Sequence, residues 1–345
     1  MKESPTLATS AKVKKLNAEG KGVINFAAGE PDFDTPDFAK EAAIKAIRDG
    51  HNGYTPASGT PAIKKAVIDW VKKDLALDYK PGEVIVSLGA KHSLYNISQV
   101  LYEEGDEVII FAPYWVTYPD QVMLAGATPV IVDCRAEDGF NPDIKELESK
   151  ITDKTKALIL NSPGNPSGAV YSDDTVKAIA ELAVKRDFII VSDECYDKIV
   201  YEGKPLSPAT LGDDVKSRTL LVNAWSKTYS MTGWRLGYTL GPAEIVKAMS
   251  NIQSQSTSNP VTPMQFGGAR ALGDLDFLAE RVAEFKKRRD VMVAALNGLD
   301  GVSCIMPKGA FYAFPDFGGW IGKTYKGEKI NDDAQLTNML IDHAR

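Results

Sequence analysis

The sequence predicts an α/β fold: a large domain with a mostly parallel sheet covered by helices on both faces, plus a smaller α+β domain. Three observations carry that expectation. Short apolar runs alternate with helical patterns through most of the 345 residues. The runs are rich in Ile, Val and Leu and do not alternate with polar residues, as strands buried on both faces would read. Near residue 275 this rhythm gives way to one long amphipathic pattern.

Six runs read as buried strands: residues 83–88 (EVIVSL), 107–111 (EVIIF), 128–132 (TPVIV), 157–160 (ALIL), 188–191 (FIIV) and 219–222 (TLLV). Helix patterns lie between them at 91–101, after Trp115, at 144–151 and at 174–185. A β-α-β-α succession predicts parallel strands joined by right-handed crossovers. Beyond residue 275, Leu278, Val282, Phe285, Met292 and Leu296 mark one stripe of a long helix. Two strand-like pieces, 302–306 and 310–314, flank the Pro307-Lys308-Gly309 turn. The expected division is a large domain of residues 38–280 and a small domain of residues 1–37 with 281–345.

Composition narrows the functional classes. The chain is 44% hydrophobic and 25% charged, with a formal charge of −6, and its charges are mixed in sign along the chain. No basic block suggests nucleic acid, and no apolar run suggests a membrane span or a signal peptide. Cys134, Cys195 and Cys304 are odd in number and far apart, so neither a disulfide framework nor a metal knuckle is expected. The three histidines show no metal-ligand spacing, and no metal is expected. A cytoplasmic setting follows as the expectation.

In an open parallel sheet, ligands bind beyond the carboxyl ends of the strands. Gly89-Ala90-Lys91 follows the first run and opens a helix, a place where free N–H groups and the helix dipole suit a phosphate. APYW, with Trp115, follows the second. NSPGNPSG, with Asn165, follows the fourth, and SDECY, with Asp193 and Tyr196, follows the fifth. Ser226, Lys227 and Arg235 follow the sixth. Taken singly, each has a plainer explanation: a tight turn, a packing tryptophan, a turn-forming asparagine, a helix cap, a surface lysine, a structural ion pair. Cys195 reads as a small buried filler beside the site. Taken together, a phosphate cradle, a flat aromatic, a carboxylate, a phenol and a lysine fit one ligand. That ligand is a phosphorylated aromatic ring bearing an aldehyde, pyridoxal 5′-phosphate (PLP).

The segments FAAGEPDFDTP, GYTPASGTPAIKKAV, GAKHSLYN, APYWVTYPD, NSPGNPSGAVY, SDECYD, SKTYSMTGWRLGY and PKGAFY occur in this order. With them the chain resembles the fold-type I PLP-dependent aminotransferases of class I, in particular the bacterial aspartate aminotransferase group, over residues 23–315. The resemblance implies that Lys227 forms the Schiff base with PLP and Asp193 pairs with the pyridinium nitrogen. It implies that Tyr196 and Asn165 bond the ring's phenolate oxygen and that Trp115 stacks on the ring. Ala90, Lys91, Ser226 and Arg235 would surround the phosphate, and Gly29, Trp115 and Asn165 would meet the substrate. Tyr54 would reach the phosphate of a neighbouring subunit, which implies a homodimer.

Two departures from the family pattern stand out. Ala224 occupies a position, three before the lysine, where the family often has Ser or Gly. The chain ends in DDAQLTNMLIDHAR, with no FR-x-S-like segment to supply a carboxylate-binding arginine, so the small domain is expected to lack its C-terminal part. Arg345 is not given that role.

The expected reaction moves an amino group between an L-amino acid, aspartate or glutamate, and a 2-oxo acid, 2-oxoglutarate or oxaloacetate, by a ping-pong mechanism. Alternatives are a β-lyase-like enzyme of the same fold, an aromatic or prephenate aminotransferase, and a non-catalytic PLP-binding module. A nucleotide-binding protein is further off, since neither GxGxxG after a first strand nor GxxxxGK[ST] occurs.

Overall fold

The computed structural model describes residues 5–26 and 29–343. Its centre is a seven-stranded sheet of β1 (Val84–Ser87), β2 (Glu107–Ala112), β3 (Thr128–Asp133), β4 (Thr155–Asn161), β5 (Ile189–Asp193), β6 (Thr219–Ala224) and β7 (Gly237–Leu240). The spatial order is β1-β7-β6-β5-β4-β2-β3. β7 runs antiparallel to both its neighbours, and the pairs β6-β5, β5-β4, β4-β2 and β2-β3 are parallel.

The helices are α1 (Pro5–Ala18), α2 (Asp37–Arg48), α3 (Pro61–Leu75), α4 (Ala90–Leu101), α5 (Thr117–Leu124), α6 (Ile144–Lys150) and α7 (Asp173–Arg186). After them come α8 (Asp213–Lys216), α9 (Trp225–Thr228), α10 (Ala243–Ser256), α11 (Thr262–Ala271), α12 (Leu278–Asn297) and α13 (Asp333–His343).

Strand residues divide by parity between the two faces. Ile109, Phe111, Leu158, Leu160 and Ile190 pack with Val176, Ile179 and Ala183 of α7 on one side. Val108, Ile110, Ile159, Val191, Leu220 and Val222 pack with Leu94 and Ile97 of α4 and Met249 of α10 on the other. Both faces being apolar is what removed the polar alternation from the sequence. Helix ends follow local chemistry. Ser172 caps α7 by accepting from the Thr175 N–H at 3.1 Å, and Thr60 caps α3 through the Ile63 N–H at 3.3 Å.

Two expectations need correcting. The sheet has a seventh strand, β7, which its sequence GYTL conceals because Gly and Thr break the apolar run. Gly237 is required there, since a Cβ would lie 2.5 Å from the Gly89 carbonyl carbon and the Ala90 nitrogen. Residues 310–314 are not a strand. Ala310 has φ 54°, and the Lys308 and Gly309 N–H groups both donate to the Gly168 carbonyl, at 3.0 and 2.9 Å. The Ala310 N–H donates to the Ile199 carbonyl at 2.8 Å, so this backbone is satisfied by loops of the central sheet. Of the first expected piece, 302–306, Ser303–Cys304 (β8) are in a strand, and their partner comes after residue 314, at Pro315–Asp316 (β9).

The expected stripe on α12 is present, with Phe285 buried and Leu278, Val282, Met292 and Leu296 half-buried. A short hairpin of β10 (Thr324–Tyr325) and β11 (Glu328–Lys329) precedes α13, where Leu336 and Met339 pack with Ile330, Phe317 and Trp320. Lys12 of α1 pairs with Asp342 of α13 at 3.0 Å. Arg345 lies outside the described residues.

Candidate functional site

β5 and β6 lie side by side and in parallel, so their carboxyl ends open at the same edge of the sheet. A cavity of about 600 Å³ sits at that edge. Of the residues singled out from the sequence, Gly29, Ala90, Lys91, Trp115, Asn165, Asp193, Tyr196, Ser226, Lys227 and Arg235 all line it. Tyr54 does not; its side chain is 93% exposed.

Asp193 is the last residue of β5 and is buried. Its Oδ2 accepts from the Tyr118 hydroxyl at 2.7 Å and its Oδ1 from the Cys195 N–H at 3.2 Å. Burial pushes its carboxyl above the usual range, and these two hydrogen bonds pull it back. Its own carbonyl accepts from Asn161 Nδ2 at 3.0 Å, while Asn161 Oδ1 accepts from the Asn165 N–H at 2.8 Å. Asn161 thus joins the exit of β4, the exit of β5 and the Asn165 loop.

Lys227 sits in the short helix that follows β6. Its Nζ donates to the Gly29 carbonyl at 2.7 Å and lies 5.9 Å from the centre of the Phe311 ring. Burial lowers its pKa from the ordinary lysine value. Tyr196 shares a 2.6 Å hydrogen bond with Tyr312, and Asn165 Nδ2 donates to the Tyr312 hydroxyl at 3.3 Å. Burial raises both phenols, Tyr312 to about 12.

The far end of the cavity is built for an anion. α4 begins at Ala90 after Gly89, and no side chain caps its N-terminus. Gly89 has φ 87°, and a Cβ there would come 2.7 Å from Arg235 Nη2. Arg235 takes a left-handed conformation, φ 54° and ψ 55°, that a side chain of its size rarely adopts. Its guanidinium donates to the Thr232 carbonyl at 2.8 Å and the Leu88 carbonyl at 3.2 Å. Lys91 Nζ stands 4.9 Å from the centre of the Trp115 ring, and burial and the nearby Arg235 lower its pKa. An uncapped helix start with an arginine, an exposed aromatic face and a buried carboxylate together fit the phosphate, ring and ring nitrogen of PLP.

Tyr118, Asn161, Cys195 and Tyr312 are among the lining residues not assigned a role from the sequence. Cys195 was expected beside the site; it lines the cavity, and its N–H holds Asp193. Tyr118 could have been found by spacing. It lies three residues after Trp115, within one helical turn, and the two rings meet edge to face at 5.5 Å. Tyr312 could not, because it reaches the cavity through the long-range docking of residues 307–312.

Comparison with known proteins gives a consistent family. The family model described as "Aminotransferase class I and II" matches residues 21–344. A relative named "Probable aspartate/prephenate aminotransferase" from Aquifex aeolicus is 45% identical over 100% of this chain and 87% of its own length. An "Aspartate aminotransferase" of Bacillus subtilis is 45% identical over 91% of this chain and 80% of its own. The crystal structure of an aspartate aminotransferase from Rhizobium meliloti superposes with a TM-score of 0.94 at 41% identity, covering 99% of this chain and 87% of that one.

Proposed function

We propose, from the premise that this chain belongs to the aminotransferase class I and II family, a division of labour among its cavity residues. The enzyme is a PLP-dependent aminotransferase that moves an amino group between an amino acid and a 2-oxo acid. The observation that carries the proposal is the convergence of Lys227 and Asp193, from the exits of adjacent strands, on a cavity whose other end offers Arg235 and the α4 N-terminus.

Bound PLP supplies an aldehyde that links amines and a ring that accepts electrons from the carbon being deprotonated. Lys227 would anchor it and would serve as the base that moves the substrate Cα proton. A lysine held below its ordinary pKa is suited to both tasks. The Gly29 carbonyl orients that amine. Asp193 keeps the ring nitrogen protonated, with Tyr118 and the Cys195 N–H fixing its two oxygens. Tyr196 and Asn165 hold the ring oxygen, tied to each other through Tyr312. Trp115 covers the ring face. Ala90, Lys91, Ser226 and Arg235 would hold the phosphate, Arg235 with a planar fork suited to bidentate contacts.

The substrates follow from the same reading. We assign aspartate or glutamate as donor and 2-oxoglutarate or oxaloacetate as acceptor, in a ping-pong cycle. What supports aspartate is the names of the relatives, aspartate aminotransferase and aspartate/prephenate aminotransferase. Gly29 lines the substrate side. Tyr54, exposed on this subunit, reaches the phosphate end of a second copy in a homodimer. Residues 38–280 form the PLP-binding domain, with 1–37 and 281–345 as the smaller one. Three free cysteines fit a reducing cytoplasm, and among the described residues no helix is long and apolar enough to cross a membrane.

Steady-state transamination with aspartate, glutamate and phenylalanine as donors tests the assignment. Aspartate and glutamate should give kcat/KM at least about tenfold above phenylalanine, the difference expected of one charge-assisted contact. A preference for phenylalanine would overturn the substrate class, and release of ammonia and pyruvate would make the enzyme a lyase.

A further inference from the structure

Residues 29–35 lead away from the cavity, which Gly29 lines, and side chains from two remote parts of the chain hold them in place. The Glu30 carboxylate accepts from the Thr232 hydroxyl, and Thr35 Oγ1 donates to the Ser230 carbonyl at 2.8 Å. Arg288 of α12 pairs with Asp32 at 2.8 Å. Arg281, two α12 turns earlier, does more. Its Nη1 donates to Ser230 Oγ at 3.0 Å and its Nη2 to the Asp34 carbonyl at 2.7 Å. The guanidinium also lies 4.5 Å from the centre of the Phe277 ring and 5.2 Å from that of Phe33.

We propose that Arg281 is a positioning residue that straps segment 29–35 to the turn after Lys227 and thereby sets the substrate-side wall of the cavity. One planar fork joins three elements: α12, the strap and the 230 turn. The strap's first residue is where this matters. Gly29 accepts from Lys227 Nζ, and a Cβ on Gly29 would lie 2.6 Å from the Tyr312 hydroxyl, so the strap is seated against both groups with little slack. Ser230 lies only three residues beyond Lys227, so the strap's second anchor stands at the edge of the same cavity. The cofactor contacts proposed for Asp193, Ala90 and Arg235 come from the end of β5, the start of α4 and the turn before β7, and Arg281 bonds none of these residues. Loosening the strap should therefore weaken substrate binding and leave cofactor binding alone. The inference rests on the reading of this cavity as the PLP and substrate site.

Arg281→Met and Arg281→Lys in the PLP-loaded enzyme test it, with Arg288→Met for comparison. Arg281→Met should raise the donor KM about tenfold, with kcat within about threefold and PLP affinity unchanged. Hydrogen exchange of amides 29–36 should quicken while that of β4 to β6 does not. Arg281→Lys should fall between, since an ammonium keeps the charge but loses the fork. Arg288→Met should move KM less than about twofold, because its pair with Asp32 is exposed. An unchanged KM would overturn the proposal, as would parallel losses of PLP affinity and of exchange protection across the sheet. Failure of the wild-type protein to bind PLP covalently would instead overturn the site reading, and the exchange of residues 29–36 would still decide the strap.

Discussion

The cavity has two walls built on different principles. The inner wall is the exits of β4, β5 and β6, where Asn161, Asp193 and Ala224 are buried residues of a hydrogen-bonded sheet. The outer wall is the strap 29–35 and the 307–312 turn, which carry no regular structure and are seated by side-chain and loop contacts. In the proposed reading the inner wall holds the groups that must not move against the cofactor. The outer wall meets what must enter and leave. Rigid placement and access are thus divided between regular and irregular chain, as expected where a scaffold presents functional loops.

The sharpest way to break this contrast is at the inner wall. Asp193→Ala should reduce kcat/KM by roughly 10²–10⁴, the range of proton-transfer and electrostatic contributions to catalysis. A loss under tenfold, measured by steady-state transamination, would remove the ring-nitrogen role from Asp193 and with it the case that this wall is the catalytic one.

A second test probes what fixes the inner wall from behind. Glu194 is buried, and its Oε1 accepts from Ser192 at 2.8 Å and Ser207 at 2.6 Å, tying the turn that carries Tyr196 to the 205–207 loop. Burial raises its pKa from 4.5 to about 7. A carboxyl whose folded value lies above its unfolded one contributes stability that is full below pH 4.5 and lost as pH rises through about 7. Wild-type stability should therefore fall across that window by on the order of 3 kcal/mol more than that of Glu194→Gln. Denaturant unfolding at pH 5 and pH 8 measures the difference; equal slopes would show that Glu194 titrates normally. The strap variant Arg281→Met, at about tenfold in KM, is the smallest of the three effects.

The same division explains what could be read from the sequence. Inner-wall residues follow apolar runs that are easy to recognise, so Asp193, Tyr196, Ser226 and Lys227 could be assigned by their place after a strand. Their partners were harder. Tyr118 is the second residue of α5, and its bond to Asp193 spans 75 residues. Outer-wall geometry depends almost wholly on contacts remote in sequence: Lys227 to Gly29 spans 198 residues and Arg281 to Asp34 spans 247. No local pattern encodes such contacts, which is why Tyr312, Arg281 and the turn at 310–314 were not foreseen. β7 was missed for a local reason, since Gly237 serves the close approach of Gly89 rather than the strand pattern. Tyr54 illustrates a third case, a residue whose proposed partner is another copy of the chain.

The central claim is that Lys227 is the amine that carries the coenzyme. Borohydride reduction of the PLP-loaded enzyme, followed by peptide mass mapping, tests it directly. The account predicts one stable phosphopyridoxyl adduct per chain, on the peptide containing Lys227. An adduct on Lys91 with Lys227 unmodified, or no adduct at any PLP concentration, would contradict it.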